Sequence, residues 1–90
     1  MDTHLTLPAT RMGRLNITFA GSNGDLGDFV AMDASDADIK AWATEAVRSG
    51  SVPGIAQAQA DFTNFVVERF NAEGDLPDRV FLRPKTAYGA

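Results

Sequence analysis

Between residues 35 and 50 the apolar positions recur at the spacing of an α-helix and form one stripe. Ser35 is a favourable N-cap, and Asp38, three residues later, can complete a capping box. Gly50 follows the last apolar position, which is typical of a helix C-terminus. The pattern predicts one amphipathic helix whose stripe is buried against a sheet. The positions of the stripe are Ile39, Trp42, Ala43, Ala46 and Val47.

Two segments before the helix have the alternation of strands. Residues 14–20 alternate cleanly between apolar and polar positions, which predicts a half-buried strand. A turn cluster at 21–27, longer than a two-residue turn, joins it to a second strand at 28–33, and together they predict a hairpin. The inward positions of the second strand are either Phe29 with Ala31 or Val30 with Met32. Those of the first strand are Leu15, Ile17 and Phe19.

The chain after the helix is less regular. Residues 51–54 contain proline and glycine and break the helix, and residues 55–60 fit either a short helical turn or a loop. Residues 62–70 are rich in β-branched and aromatic side chains and predict a third strand. Phe65 and Val67 are its expected inward pair.

Residues 79–83 predict the last strand, which ends at Pro84 because proline has no N–H to donate to a sheet. If Val80 and Leu82 face the helix, Phe81 points outward with an arginine on each side. The alternative is a register shifted by one residue, in which Phe81 belongs to the core. An exposed aromatic between cations is typical of a recognition surface. The candidate partner-binding residues are Arg79, Phe81 and Arg83.

The order strand, strand, helix, strand, strand predicts an α+β domain over residues 14–84. We expect residues 1–13 to be a flexible N-terminal arm, because they are polar and show no sustained period. Residues 85–90 are expected to be a flexible C-terminal tail.

Composition narrows the class of protein. The 90 residues allow one domain, and a formal net charge of −4 argues against a nucleic-acid partner. The absence of cysteine excludes disulfides and thiol chemistry. No apolar run approaches the roughly 20 residues that a membrane span needs, and residues 1–13 do not resemble a signal peptide. We therefore expect a soluble, cytoplasmic protein that does not bind membranes.

The charge distribution and the histidine content do not indicate a catalytic site. Aspartates crowd the middle of the chain, while Arg79, Arg83 and Lys85 gather near its end, which suggests one acidic and one basic surface. His4 is the single histidine, so a metal site or a catalytic triad is not expected. We predict no metal, no cofactor and no enzymatic activity.

Three stretches resemble ubiquitin and its relatives. DASDADI at 33–39 resembles the acidic, capped start of the ubiquitin helix, and GSVP at 50–53 resembles the Gly-Ile-Pro that follows it. RVFLR at 79–83 is similar to the final ubiquitin strand. The resemblance covers residues 14–89 and is closest to bacterial ubiquitin-like modifiers of conjugation-type operons. It implies a β-grasp fold, in which a ββαββ mixed sheet packs on one helix. The chain departs from that pattern in a shorter segment between residues 70 and 79 and in Tyr88, which stands where most modifiers have the first of two glycines.

The resemblance implies a function carried by the C-terminal residues. A peptidase would remove Ala90, and activating and conjugating enzymes would then join the Gly89 carboxylate to target proteins. Pro84, Lys85 and Tyr88 would be recognised by those enzymes along the tail. The alternative is a β-grasp interaction module, such as an adaptor or a phage or defence-system subunit, that binds its partners without forming a covalent bond.

Overall fold

In the computed structural model, which describes residues 11–85, the predicted order of elements is found: two strands, one helix and two further strands. The first strand begins two residues before its predicted start at Arg14. The elements of this described part are β1 (Met12–Phe19), β2 (Ser22–Ala31), α1 (Asp36–Arg48), β3 (Phe65–Phe70) and β4 (Arg79–Pro84).

The four strands form one mixed sheet in the order β2-β1-β4-β3. β1 pairs antiparallel with β2, and β4 pairs antiparallel with β3. The two central strands, β1 and β4, run parallel, with Arg14 opposite Arg79 and Ile17 opposite Leu82. The first and last strands of the described chain therefore lie side by side in the middle of the sheet.

The core lies between α1 and one face of the sheet. The central strands contribute Leu15 and Ile17 from β1 and Val80 and Leu82 from β4, all fully buried. The alternation predicted for β1 is confirmed, because its polar positions lie on the opposite face. The helix contributes Ile39, Ala43, Ala46 and Val47 to the same cluster.

The ends of α1 follow the capping signals in the sequence. The hydroxyl of Ser35 accepts a hydrogen bond from the backbone N–H of Asp38 at 3.0 Å, as an N-cap does. At the other end, Gly50 has a φ of 73°, and the N–H of Ser51 donates to the carbonyl of Ala46 at 2.9 Å. This left-handed C-terminal turn favours glycine, because glycine has no Cβ to clash.

One position of the helical stripe is not in the core. Trp42 is 42% exposed, whereas Ile39 one turn earlier is fully buried. Trp42 lies at the margin of the stripe, beside the edge strand β2, and lines an open groove there. The prediction that it is a core residue is therefore wrong.

The hairpin of β1 and β2 is tighter than the sequence suggests. Phe19 pairs with Ser22, so the turn is only Ala20–Gly21, with φ values of 52° and 80°. Two positive φ angles match a two-residue turn of the type that suits the twist of a hairpin. The predicted turn cluster at 21–27 belongs almost entirely to β2, which extends over polar and glycine-rich sequence. Pairing with β1 overrides the weak strand propensity of these residues.

An irregularity in β2 decides which side chains face the core. Residues 26–28 lie opposite Leu15 alone, because Arg14 pairs with Phe29 while Asn16 pairs with Asp25. Beyond this bulge Val30 is buried and Phe29 is 54% exposed on the opposite face. Of the two alternatives left by the sequence, Val30 with Met32 is the inward pair.

The segment between α1 and β3 is a loop that packs into the core. Residues 55–60 form neither a helix nor a strand, so the loop alternative is correct. Val52, Ile55 and Phe62 are buried against the helix and sheet. Irregular backbone thus supplies three members of the core.

The third strand begins later than predicted, at Phe65 and not at residue 62. The hydroxyl and the backbone N–H of Thr63 donate to the Asp61 carboxylate at 2.6 and 2.9 Å, and they hold the pKa of that carboxyl below its usual value. This local turn competes with strand pairing. Phe65 and Val67 are partly buried against the core, which confirms them as the inward pair.

Candidate functional site

The sheet face opposite the helix, here called the outer face, carries the three residues that the sequence singled out on β4. Val80 and Leu82 are fully buried, so Phe81 lies on the other side of the strand with Arg79 and Arg83. Phe81 is half-buried and is not part of the core cluster. The register shifted by one residue is therefore wrong.

Arginine and phenylalanine side chains stack on one another across the outer face. The guanidinium carbons of Arg83 and Arg79 lie 5.1 and 5.6 Å from the centroid of the Phe81 ring. Arg79 also lies 5.4 Å from the ring of Phe70, which meets Phe81 edge to face at 5.4 Å. Contacts of this length are favourable for cations over aromatic faces and for aromatic pairs.

Phe70 is a residue of this surface that the sequence reading missed. It ends β3 opposite Arg79 and is 41% exposed. The alternation that predicts Phe65 and Val67 as inward residues also places residue 70 on the other side of the strand. The alternation of β3 therefore predicts that Phe70 lies on the outer face. Only the register between β3 and β4 shows that Phe70 contacts the β4 residues.

β1 adds a second row to the outer face. Arg14 lies opposite Arg79, and Asn16 lies opposite Phe81. The guanidinium carbon of Arg14 is 4.7 Å from the ring centroid of Phe29, and its Nη1 donates to the carbonyl oxygen of Leu26 at 3.2 Å. We call this whole group the arginine–phenylalanine cluster; its members are Arg14, Phe29, Phe70, Arg79, Phe81 and Arg83.

The arginines of the chain differ in their ion pairs. Among the residues that the structure describes, four of the six pair with a carboxylate: Arg11 with Asp78, Arg48 with Glu45, Arg69 with Asp36, and Arg83 with Glu68. Within residues 11–85, neither Arg14 nor Arg79 has such a partner. In addition, the Nε of Arg79 is buried and has no hydrogen-bond partner in this part of the chain.

A small cavity of about 170 Å³ lies between these two arginines. Asn16 donates from its Nδ2 to the Oδ1 of Asp25 at 2.8 Å and to the Oδ1 of Asn23 at 3.0 Å. These bonds join β1 to β2 beside the cavity and fix the polar side chains there. The cavity is lined by Arg14, Asn16, Asp25, Pro77, Arg79 and Phe81.

The predicted tail residues fall mostly beyond the described part of the chain. Pro84 ends β4 opposite Phe65, and Pro84 and Lys85 are both exposed. Tyr88, Gly89 and Ala90 lie outside the described residues. The structure therefore bears on the start of the predicted tail and not on the residues that would be cleaved and conjugated.

A second concave surface lies between α1 and the edge strand β2. This groove of about 520 Å³ is lined by Trp42, Ala46 and Glu45 from the helix and by Leu26, Phe29 and other residues of β2. Arg48 donates to Glu45 at its border, and the hydrogen bond and the positive charge of Arg48 lower the pKa of Glu45. The sequence pattern does not predict this groove, because it places Trp42 in the core.

No three side chains of the types that bind metals come together between residues 11 and 85. Over the same range, no helix is long and apolar enough to cross a membrane. No family model, curated protein or solved structure matches the chain.

Proposed function

We propose that the chain is a ubiquitin-like protein modifier with a β-grasp fold, conjugated through Gly89 after the bond between Gly89 and Ala90 is cleaved. The observation that carries the proposal is the sheet order β2-β1-β4-β3 with β1 and β4 parallel at its centre, beside one helix on one face. This is the arrangement that a β-grasp requires of two hairpins joined through a helix. No role as an enzyme is proposed.

The chemistry belongs to the enzymes of the pathway. Hydrolysis of the Gly89–Ala90 peptide bond would leave a carboxylate on Gly89. Transfer of an adenylate from ATP, with release of pyrophosphate, would activate it, and an enzyme thiol or hydroxyl would then displace AMP. An amine of the target would displace that group in turn and form an amide. Glycine suits this position because, without a Cβ, its carbonyl can be approached closely.

The end of β4 suits delivery of such a tail. Pairing stops at Pro84, and the exposed Pro84 and Lys85 stand at the edge of the folded body. A proline at this point restricts the backbone and lowers the entropy lost when the following residues bind in an enzyme groove. Because the Tyr88 side chain is larger than glycine, the enzyme channel that binds the tail would have to be wider than one built for two glycines. Arg79, Phe81 and Arg83 would form the surface that the cytoplasmic enzymes and targets contact.

Intact-mass analysis of the chain isolated from its native host tests this proposal. We expect loss of one alanine residue mass and adducts of higher mass. Deletion of Ala90 alone should leave adduct formation intact, because it supplies the processed end directly. Deletion of both Gly89 and Ala90, or Gly89→Val, should abolish adducts. An unaltered full-length mass with no adducts, or adducts that persist without Gly89, would contradict the proposal.

The arginine–phenylalanine cluster supports a second candidate, a β-grasp module that binds partners only non-covalently. Exposed aromatic and arginine side chains contribute strongly to many interfaces. Such a module should keep its partner when Gly89 and Ala90 are deleted and lose it in Phe81→Ala or Arg83→Ala. Co-purification from the native host with these variants separates the two candidates, because deletion of Gly89 and Ala90 abolishes the adducts of a modifier but leaves a non-covalent partner bound.

A further inference from the structure

The two arginines without a carboxylate partner in the described chain are direct neighbours. Arg14 and Arg79 are register partners on the two central, parallel strands and lie on the same face. The four other arginines each pair with a carboxylate. Like charges placed opposite one another in a sheet repel, and an anion between them would offset that repulsion.

The surroundings of Arg79 strengthen this view. Its Nε is buried and lacks a hydrogen-bond acceptor among residues 11–85. A buried donor without an acceptor is destabilising, because it has lost its hydrogen bond to water and has formed no other hydrogen bond in its place. An acceptor supplied from outside the chain would satisfy it.

The cavity between the arginines indicates the charge of that acceptor. Arg14 and Arg79 bring two positive charges, and the Asp25 carboxylate at the wall brings one negative charge. The site therefore has one net positive charge. A carboxylate, which carries a single charge and matches the planar fork of a guanidinium, fits this balance better than a doubly charged phosphate.

We propose that the cavity between Arg14 and Arg79 binds a glutamate or aspartate side chain from an acidic segment of a partner protein. The carboxylate accepts hydrogen bonds from the two guanidiniums, while an apolar neighbour in the segment packs on Phe70 and Phe81. This inference deepens the proposed function by giving the chemistry of the partner at the outer face. It does not depend on cleavage or conjugation of the tail.

A titration of the isolated, ¹⁵N-labelled full chain tests the inference. The probe is a blocked peptide, Gly-Glu-Leu-Glu-Gly, and its matched control is Gly-Gln-Leu-Gln-Gly. We expect the glutamate peptide to shift the NMR signals of the Arg14 and Arg79 side-chain N–H groups in a saturable manner. The glutamine peptide should not do so. The absence of a saturable shift, or an equal shift with glutamine, would overturn the proposal.

Substitutions identify the residues that bind. Arg79→Gln should weaken binding of the glutamate peptide by about tenfold, the effect expected for losing a charge-assisted hydrogen bond. Arg48→Gln changes the net charge equally but lies on the helix, so its affinity should match the wild type. Equal affinities of the two variants would contradict the proposal. Arg14→Gln provides the same comparison if Arg79→Gln does not fold, as judged from its amide spectrum.

Two further measurements exclude other occupants. Inorganic phosphate that binds the cavity more tightly than the peptide would show a phosphate site and overturn the proposal. Sedimentation velocity of the free chain, showing a dimer that Arg79→Gln abolishes, would instead make a second copy the occupant. Deletion of Gly89 and Ala90 should leave peptide affinity unchanged, so failure of the tail chemistry and failure of this inference give different results.

Discussion

At the residue scale, Gly24 marks a close approach between two segments of backbone. A Cβ at this position would collide with the carbonyl oxygen of Pro53 and lie 3.0 Å from Cγ1 of Val52. We expect Gly24→Ala to lower the free energy of unfolding by about 1–3 kcal/mol, the usual effect of overpacking. Gly27→Ala in the same strand meets nothing within 4 Å and should change it by less than about 1 kcal/mol. Urea unfolding of both variants makes the comparison, and equal losses would show that the strand and loop are not in contact.

Trp42 and Ile39 give a second comparison at this scale. Ile39 is fully buried, so Ile39→Ala should cost about 2–5 kcal/mol through lost burial and an unfilled cavity. Trp42→Ala should cost clearly less, because the side chain is 42% exposed and alanine favours a helix. Thermal unfolding monitored by circular dichroism measures both. A larger loss for Trp42→Ala would place the tryptophan in the core after all.

Some residue positions could be predicted from the sequence and others could not. Leu15, Ile17, Val80 and Leu82 follow from alternation alone, because a strand with one buried face repeats every second residue. The inward face of β2 could not be derived, since the bulge at residues 26–28 changes which positions face the core.

At the element scale, the helix was the best predicted part, because its start, apolar stripe and end agree with one another. The hairpin turn is shorter than predicted, since the glycine-rich start of β2 has little strand propensity and is held by its partner strand. The start of β3 was misplaced for the opposite reason. There, the strand-forming residues Phe62 and Thr63 lie outside the strand because Asp61 and Thr63 form a local turn.

Asp78 joins the loop before β4 to the residue before β1, and its titration should be visible in stability. The backbone N–H of Ala72 donates to Oδ1 at 2.5 Å, and Arg11 donates to both carboxylate oxygens. The Ala72 bond, and to a smaller extent Arg11, lower the pKa of Asp78 despite an opposing desolvation effect. A carboxyl whose pKa is lowered on folding stabilises the fold above its unfolded value of about 3.9, and this stabilisation is lost as the pH falls through the folded pKa.

We therefore expect Asp78→Asn to be less stable than the wild type at about pH 6, with the difference shrinking as the pH falls below about 3.9. Urea unfolding across this range measures it. Arg11→Gln should keep part of the pH dependence, because the Ala72 bond is the largest single cause of the lowered pKa. A difference between wild type and Asp78→Asn that stays constant with pH would contradict this account.

At the scale of the whole molecule, the sequence supports an α+β domain but not the neighbours of each strand. The parallel pairing of β1 with β4 joins residues 65 positions apart, such as Arg14 and Arg79, and no local periodicity encodes it. The candidate site shows the same limit. The pattern of one strand, β4, is enough to identify Arg79, Phe81 and Arg83. The cluster also includes Arg14 and Phe70, which come from neighbouring strands and join it only through the sheet order.

Truncation from the C-terminal end tests which residues the fold requires. Every buried apolar residue of the described chain lies between Leu15 and Leu82, so a chain ending at Lys85 should melt within about 4 °C of the full chain. A chain ending at Asp78 lacks β4, which pairs with β1 on one side and with β3 on the other. It loses Val80 and Leu82 from the core and leaves β3 without a partner, so we expect no cooperative thermal transition and poor dispersion of its amide signals. A cooperative transition in the chain ending at Asp78 would mean that the hairpin and helix fold without the central parallel pair. A large destabilisation of the chain ending at Lys85 would mean that residues 86–90 contribute to the free energy of folding.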